Sequence, residues 1–183
     1  MSSSLSSRNA NSPFVLVHSG VWRTPIASNF DYRYYILFLD DYTKFFWIYL
    51  MREKFESFKK FKEFHAMVKN IFHTSISYFQ SDGGGECVNQ KFKSFFQQND
   101  IIYRFSCPHT SAQNGRAERK HRHIANVLCC LIFQASMSFK YWGDACLYVV
   151  FLINVTPLLV LNYKSPFELF YGHIHDYDLI CVF

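Results

Sequence analysis

Two acidic residues of this 183-residue chain stand in settings suited to metal chemistry. Asp82 follows the strand-like run 76–79 and precedes three glycines, which would let a phosphate backbone come close. Glu118 is expected in the first turn of a helix that begins near Arg116. Oxygen ligands suit Mg²⁺, and two such ions roughly 3.5–4 Å apart stabilise the attacking and leaving oxygens of a phosphodiester transfer. Each acid alone also fits a plainer role, as a turn residue or as a helix-start acid.

The residues around Glu118 add a basic, hydrogen-bonding surface. Asn114, Glu118 and Arg122 are four apart and therefore share one helix face. Cations at these positions hold phosphates, and a net charge of +5 favours a polyanionic partner. The predicted nucleic-acid-binding residues are Asn114, Arg116, Arg119, Lys120 and Arg122.

Composition predicts one domain with a large core. Half of the residues are hydrophobic and a fifth are aromatic, while 18% are charged, below the roughly 25% of a typical domain. The six cysteines form no C-x-x-C pair, which favours reduced, buried thiols over a zinc site.

Two segments could suggest a signal peptide or a membrane span, and each fits another structure better. Residues 1–12 are rich in Ser and Asn and read as a disordered lead-in, not a signal peptide. The charge-free run 145–163 is interrupted at Asn154 and Pro157, which favours a buried helix over a membrane span. We therefore expect a nuclear or cytoplasmic protein with no membrane partner and no small-molecule substrate.

The hydrophobic periodicity predicts a mixed α/β order of elements. A stripe of phenylalanines at three- and four-residue spacing indicates an amphipathic helix over 55–72, and 108–115 is predicted to be a polar loop. The predicted strands are 14–21, 34–39, 45–51, 76–80 and 101–106. The other predicted helices are a short one around 92–96, then 116–134, 138–153 and one that Ser165 caps and Gly172 ends. This order favours a mixed sheet with helices on its faces.

Several ordered motifs resemble the integrase catalytic core of copia-type LTR retrotransposons. They include VHSGVW at 17–22, LDDYT at 39–43, SDGGGE at 81–86, QNGRAERK at 113–120 and PFELFYG at 166–172. The resemblance implies a ribonuclease H-like fold, with a five-stranded mixed sheet flanked by helices, over residues 13–172. Residues 173–183 would then be a C-terminal extension cut short relative to the family. Asp82 and Glu118, with 35 residues between them, match the second and third acids of the family's metal-binding triad.

The resemblance also implies partners and a cofactor. These are Mg²⁺ or Mn²⁺, and DNA as element ends and target duplex, with self-association left open. Asp82 and Glu118 should then lie within about 10 Å of each other, so that they can share a metal pair.

The first acid of the triad is where the chain departs from the family. Gly20 stands at its place and offers no ligand, so metal binding should be weakened. We expect position 20 to face the same cleft as the two acids. Asp40 or Asp41 on the neighbouring strand could act as a substitute. Three interpretations remain: an active polynucleotidyl transferase; a degenerate, non-catalytic remnant of a retrotransposon polyprotein that still folds and binds nucleic acid; and a non-functional relic that barely folds.

Overall fold

A five-stranded mixed sheet is the centre of the molecule. The structure, a computed structural model, describes residues 10–81, 90–105 and 111–177, with the backbone alone at 105 and 111–116. The sheet order is β3-β2-β1-β4-β5, with antiparallel β1–β2 and β2–β3 pairs and parallel β1–β4 and β4–β5 pairs. The strands are β1 Leu16–Arg23, β2 Tyr34–Asp40, β3 Phe46–Met51, β4 Tyr78–Ser81 and β5 Ile102–Phe105. The expected five-stranded mixed sheet is confirmed.

Helices cover both faces of this sheet. The helices are α1 Ser57–Ile71, α2 Gln90–Gln98, α3 Ser111–Gln134, α4 Trp142–Val155 and α5 Pro166–Tyr171. The start of α5 is as predicted, because the Ser165 hydroxyl accepts a hydrogen bond from the Glu168 N–H at 3.0 Å. Gly172 ends that helix at φ 78°.

The phenylalanine stripe of α1 forms the core on the first face. Phe61, Phe64 and Val68 are fully buried there, and Phe64 stacks on Phe38 of β2 with ring centroids 4.3 Å apart. Phe92 of α2 joins the same cluster. The middle of the stripe is therefore core, as its spacing predicts, but its ends are not: Phe55 precedes α1 and is 80% exposed, and Ile71 at the end of α1 is 64% exposed.

The charge-free helix α4 lies in the core on the second face. Trp142, Cys146 and Val149 of α4 pack with Leu37 of β2 and Leu128 of α3. Within the described residues, no helix is both long enough and apolar enough to cross a membrane.

The expectation of buried thiols is only partly correct. Cys146 is buried, but Cys129 and Cys130 are exposed because they fall outside the 124, 128, 132 stripe by which α3 packs. The other three cysteines lie outside the described residues.

Helix α3 begins earlier than the sequence suggests. Residues 111–115 are helical, so the predicted loop 108–115 is wrong over that part, and 108–110 lie outside the described residues. Gly115 costs a helix interior only about 1 kcal/mol relative to alanine, which tertiary packing can offset. Glu118 consequently lies about two turns inside the helix rather than in its first turn.

Candidate nucleic-acid and metal site

Position 20 lies on the sheet face that α3 covers. Gly20 pairs with Leu37 and Trp22 pairs with Tyr35 across the antiparallel β1–β2 ladder. Directly paired residues share a face, and Leu37 and Tyr35 both belong to the core formed with α3 and α4. A side chain at position 20 would therefore project toward the layer that carries Glu118.

Trp22 occupies the space above Gly20. A Cβ added to Gly20 would lie 2.4 Å from Cη2 of Trp22, closer than real side chains approach. The indole stacks on His121 of α3, with ring centroids 4.6 Å apart and planes 6° apart. The Tyr35 hydroxyl is hydrogen-bonded to Nδ1 of His121. We call these three side chains the Trp22 cluster.

Burial keeps the two titratable members of the Trp22 cluster neutral. It raises the pKa of Tyr35, chiefly by desolvation, with a smaller contribution from Cys146. It lowers the pKa of His121 by the same cause. The hydrogen bond between the Tyr35 hydroxyl and Nδ1 of His121 therefore joins two uncharged groups, and the tautomer of the imidazole sets which of them donates.

The structure places one of the two predicted catalytic acids. Glu118 is exposed on α3, one turn before His121. Asp82 lies outside the described residues, so its distance from Glu118 stays a prediction. It follows Ser81 in the chain, and Ser81 pairs with Ser19 of β1.

The side chain of Asp40 stabilises the turn between β2 and β3. Its carboxylate accepts hydrogen bonds from the Phe14 N–H at 2.7 Å, the Thr43 N–H at 2.8 Å and the Thr43 hydroxyl at 2.7 Å. Burial raises its pKa, although these hydrogen bonds act in the opposite direction.

Asp41 is engaged by neighbouring groups as well. Its Oδ1 lies 3.3 Å from Nε2 of His18 and 3.2 Å from Nζ of Lys44. Both aspartates thus have structural partners, which argues against either as a substitute for the acid missing at position 20.

The predicted nucleic-acid-binding residues fall into three groups. Arg119 and Arg122 are exposed on α3. Lys120 is half-buried, with Nζ 5.4 Å from the centre of the Phe46 ring. The pKa of Lys120 is lowered chiefly by burial and to a smaller extent by the positive charge of Lys44. The side chains of Asn114 and Arg116 lie outside the part that the structure describes. Arg119 and Arg122 are therefore the accessible cations of the predicted set.

The residues that the structure describes do not by themselves complete a metal centre. Among residues 10–81, 90–105 and 111–177, no group of three or more His, Cys, Asp or Glu side chains could hold a metal ion. Position 20 contributes no oxygen, and its space is filled by an indole.

The Trp22 cluster could not be predicted from residue spacing. Its members come from β1, β2 and α3, and 86 positions separate Tyr35 from His121. The only local hint is the glycine two residues before a tryptophan on one strand, where alternate side chains share a face.

Comparison with known proteins agrees with this architecture. No protein-family model matches the chain. It is 38% identical over 180 residues, 98% of its length, to the retrovirus-related Pol polyprotein from transposon RE1 of Arabidopsis thaliana. The corresponding polyprotein from transposon RE2 of the same plant is 37% identical over 174 residues, 95% of the chain. The chain spans 12% of the length of each of these two polyproteins.

A solved structure shows the same fold. The HTLV-2 integrase catalytic core domain in complex with magnesium, in its trimeric form, superposes with a TM-score of 0.63 at 13% identity. The match covers 86% of this chain and 96% of that one. The fold is thus that of the ribonuclease H-like integrase catalytic cores. This fold and the identity to the two Arabidopsis polyproteins show that the chain belongs to the integrase cores of copia-type LTR retrotransposons.

Proposed function

We propose that this chain is a degenerate integrase core that binds duplex DNA without transferring strands. The observation that carries the proposal is Gly20, which stands on the α3-facing side of β1 where the family has its first metal-binding acid. The proposed partners are element ends and target duplex, met in the nucleus or cytoplasm. Self-association, for which the trimeric form of the HTLV-2 core gives precedent, is part of the proposal.

The ligand set is too small for catalysis. Glu118 and Asp82 could supply two of the three carboxylates, but position 20 supplies none. Members of a catalytic set act as a unit, so losing one removes most of the activity. Mg²⁺ or Mn²⁺ would bind weakly at the remaining pair, because fewer anionic oxygens would replace its water shell.

Exposed positive charge on α3 favours DNA binding. Arg119 and Arg122 are one helical turn apart and exposed, and guanidinium groups suit phosphate oxygens. Without an acid at position 20, this region also repels phosphates less. Binding should therefore be independent of sequence and sensitive to salt, and it should require no divalent metal.

One pair of measurements tests both halves of the proposal. Fluorescent duplex should bind at low salt in EDTA, and adding Mg²⁺ should not strengthen the binding. A strand-transfer assay on short duplex ends with Mg²⁺ or Mn²⁺ should give no product. Absence of binding at low salt would refute the DNA-binding half, and metal-dependent product from the unmodified chain would refute the non-catalytic half.

A further inference from the structure

The loop between β1 and β2, residues 24–33, is held in one shape although it lies at the surface. Ser28 is buried, and its hydroxyl accepts hydrogen bonds from the Phe30 N–H at 3.2 Å and the Tyr32 N–H at 3.1 Å. The Ser28 N–H in turn donates to the Tyr32 carbonyl at 2.8 Å. We call residues 24–33 the β1–β2 loop.

The neighbouring helix also holds the β1–β2 loop from outside. Nε1 of Trp142, the first residue of α4, donates to the Ile26 carbonyl at 3.1 Å. The Asn29 N–H donates to the Lys140 carbonyl, just before α4, at 2.8 Å. The loop is therefore fastened to the connection between α3 and α4 as well as to the sheet.

This braced loop presents apolar side chains to solvent. Phe30 is 57% exposed and Ile26 is 46% exposed. A rigid loop loses little conformational entropy on binding, so an aromatic side chain held in solvent by such a loop is suited to contact a partner.

Unpaired cations surround the exposed Phe30. Arg23 ends β1, Arg33 ends the loop, and Nε of Arg52 donates to the Phe30 carbonyl at 3.3 Å. All three arginines are exposed, and none forms an ion pair with a carboxylate in the part of the chain that the structure describes. Asp31 is the single acid of the loop. The surface around Phe30 therefore carries an excess of positive charge.

The β1–β2 loop adjoins the basic surface of α3. Trp22 stacks on His121, and Arg23 and Arg122 are the next residues of the two chain segments. The loop thus extends the exposed cations of α3 past the end of β1.

We propose that the β1–β2 loop is a second contact for duplex DNA, in which Arg23 and Arg33 hold phosphates and Phe30 packs into the minor groove. Apolar side chains that enter this groove partly unstack a base step and bend the duplex. The unpaired arginines favour a polyanion over a second copy of this chain, whose net charge is +5. This inference rests on the proposed DNA binding.

The arginines are tested by the salt dependence of duplex binding, measured by fluorescence anisotropy. Arg23→Ala with Arg33→Ala should reduce the salt slope by about 2, since each lost phosphate contact contributes about 0.9. The matched control is Lys91→Ala with Lys93→Ala, which removes two exposed cations from α2 on the first face of the sheet. The control should leave the slope unchanged.

The outcomes separate this inference from the proposed function. If Arg119→Ala with Arg122→Ala weakens binding but the loop variant does not, the β1–β2 loop is no DNA contact and only this inference fails. An equal loss in the α2 control would also overturn it, because net charge alone would then drive binding. A wild-type chain that binds no duplex at low salt would refute both.

The role of Phe30 is tested with two duplexes of equal length, one fully paired and one with a central mismatch that unstacks more easily. The wild-type chain should bind the mismatched duplex about three- to tenfold more tightly, because less free energy is spent on unstacking. Phe30→Ala should abolish this preference without changing the salt slope, and Phe30→Leu should retain it. Phe55→Ala removes another exposed phenylalanine, before α1, and should leave the preference intact. A preference that survives Phe30→Ala, or its absence in the wild-type chain, would refute the insertion of Phe30.

Discussion

The side-chain amide of Asn154 forms two hydrogen bonds to the backbone of Phe46. Its Oδ1 accepts from the Phe46 N–H at 3.1 Å, and its Nδ2 donates to the Phe46 carbonyl at 2.8 Å. Phe46 begins β3, an edge strand of the sheet, while Asn154 is buried near the end of α4. One amide thus satisfies both polar groups that an edge residue would otherwise expose.

We expect Asn154→Asp to destabilise the fold by about 2–3 kcal/mol, because a carboxylate cannot donate to the Phe46 carbonyl and would be buried with a charge. Urea unfolding at neutral pH measures the change. Asn162→Asp, on the turn after Leu161, is the matched control and should cost much less. Equal losses in the two variants would contradict the role assigned to the amide.

Arg119→Ala with Arg122→Ala should weaken duplex binding and reduce the salt slope by about 1–2, since each lost phosphate contact contributes about 0.9 to that slope. Fluorescence anisotropy at several salt concentrations gives both quantities. Lys59→Ala with Lys69→Ala removes the same charge from α1, which lies on the opposite face of the sheet. A control that loses as much as the α3 variant would show that net charge alone drives binding.

Stability should fall as the pH is lowered from about 6.5, the ordinary pKa of histidine. Burial lowers the pKa of His121 in the folded chain, so the unfolded chain binds the proton first. The loss of stability begins near pH 6.5 and is complete below the pKa that His121 has in the folded chain.

His121→Phe isolates this effect, because phenylalanine keeps a ring beside Trp22 but cannot take up a proton. Unfolding curves at several pH values should show a weaker acid dependence for the variant. Asp40 has the opposite effect on the pH dependence, because its pKa is raised in the folded chain. It lowers stability as the pH rises above 3.8, the ordinary pKa of the carboxyl group. It is common to both proteins and cancels in their difference. Unchanged acid dependence in the variant would exclude His121 as its source.

Asp40→Ala should destabilise the chain by about 2–4 kcal/mol, because it leaves the Phe14 and Thr43 donors without their carboxylate. Thermal unfolding of the variant measures the loss. Duplex binding per folded molecule should stay unchanged, since the carboxylate is buried in a turn. A selective loss of DNA affinity with normal stability would assign Asp40 to the binding surface instead.

Local patterns predicted much of this fold. The α1 stripe and the Ser165 cap depend on residues within a few turns, so spacing and side-chain chemistry are enough to place them. The helix start at Ser111 was missed because Asn114 and Gly115 are weak helix formers whose cost is offset elsewhere.

The candidate site could be predicted only in part from the sequence. The residue types at 20, 82 and 118 indicate an incomplete triad, but nothing local reveals that Trp22 fills the gap or that Lys120 packs over Phe46. Lys120 and Phe46 are 120 − 46 = 74 positions apart, and Trp22 stacks on His121, 121 − 22 = 99 positions away, so only the folded chain brings these residues together.

The position of α4 has a consequence for synthesis on the ribosome. The β1–β3 meander is made before the helices that cover its second face. Leu37 and Leu39 on that face must wait for α3 and α4, whose packing residues begin at Ile124, 124 − 39 = 85 positions after Leu39. Until then an apolar sheet surface and the β3 edge at Phe46 are open to other chains. A nascent chain that stops after Gln134 should therefore aggregate, which makes completion of α4 the step that commits this domain to a soluble state.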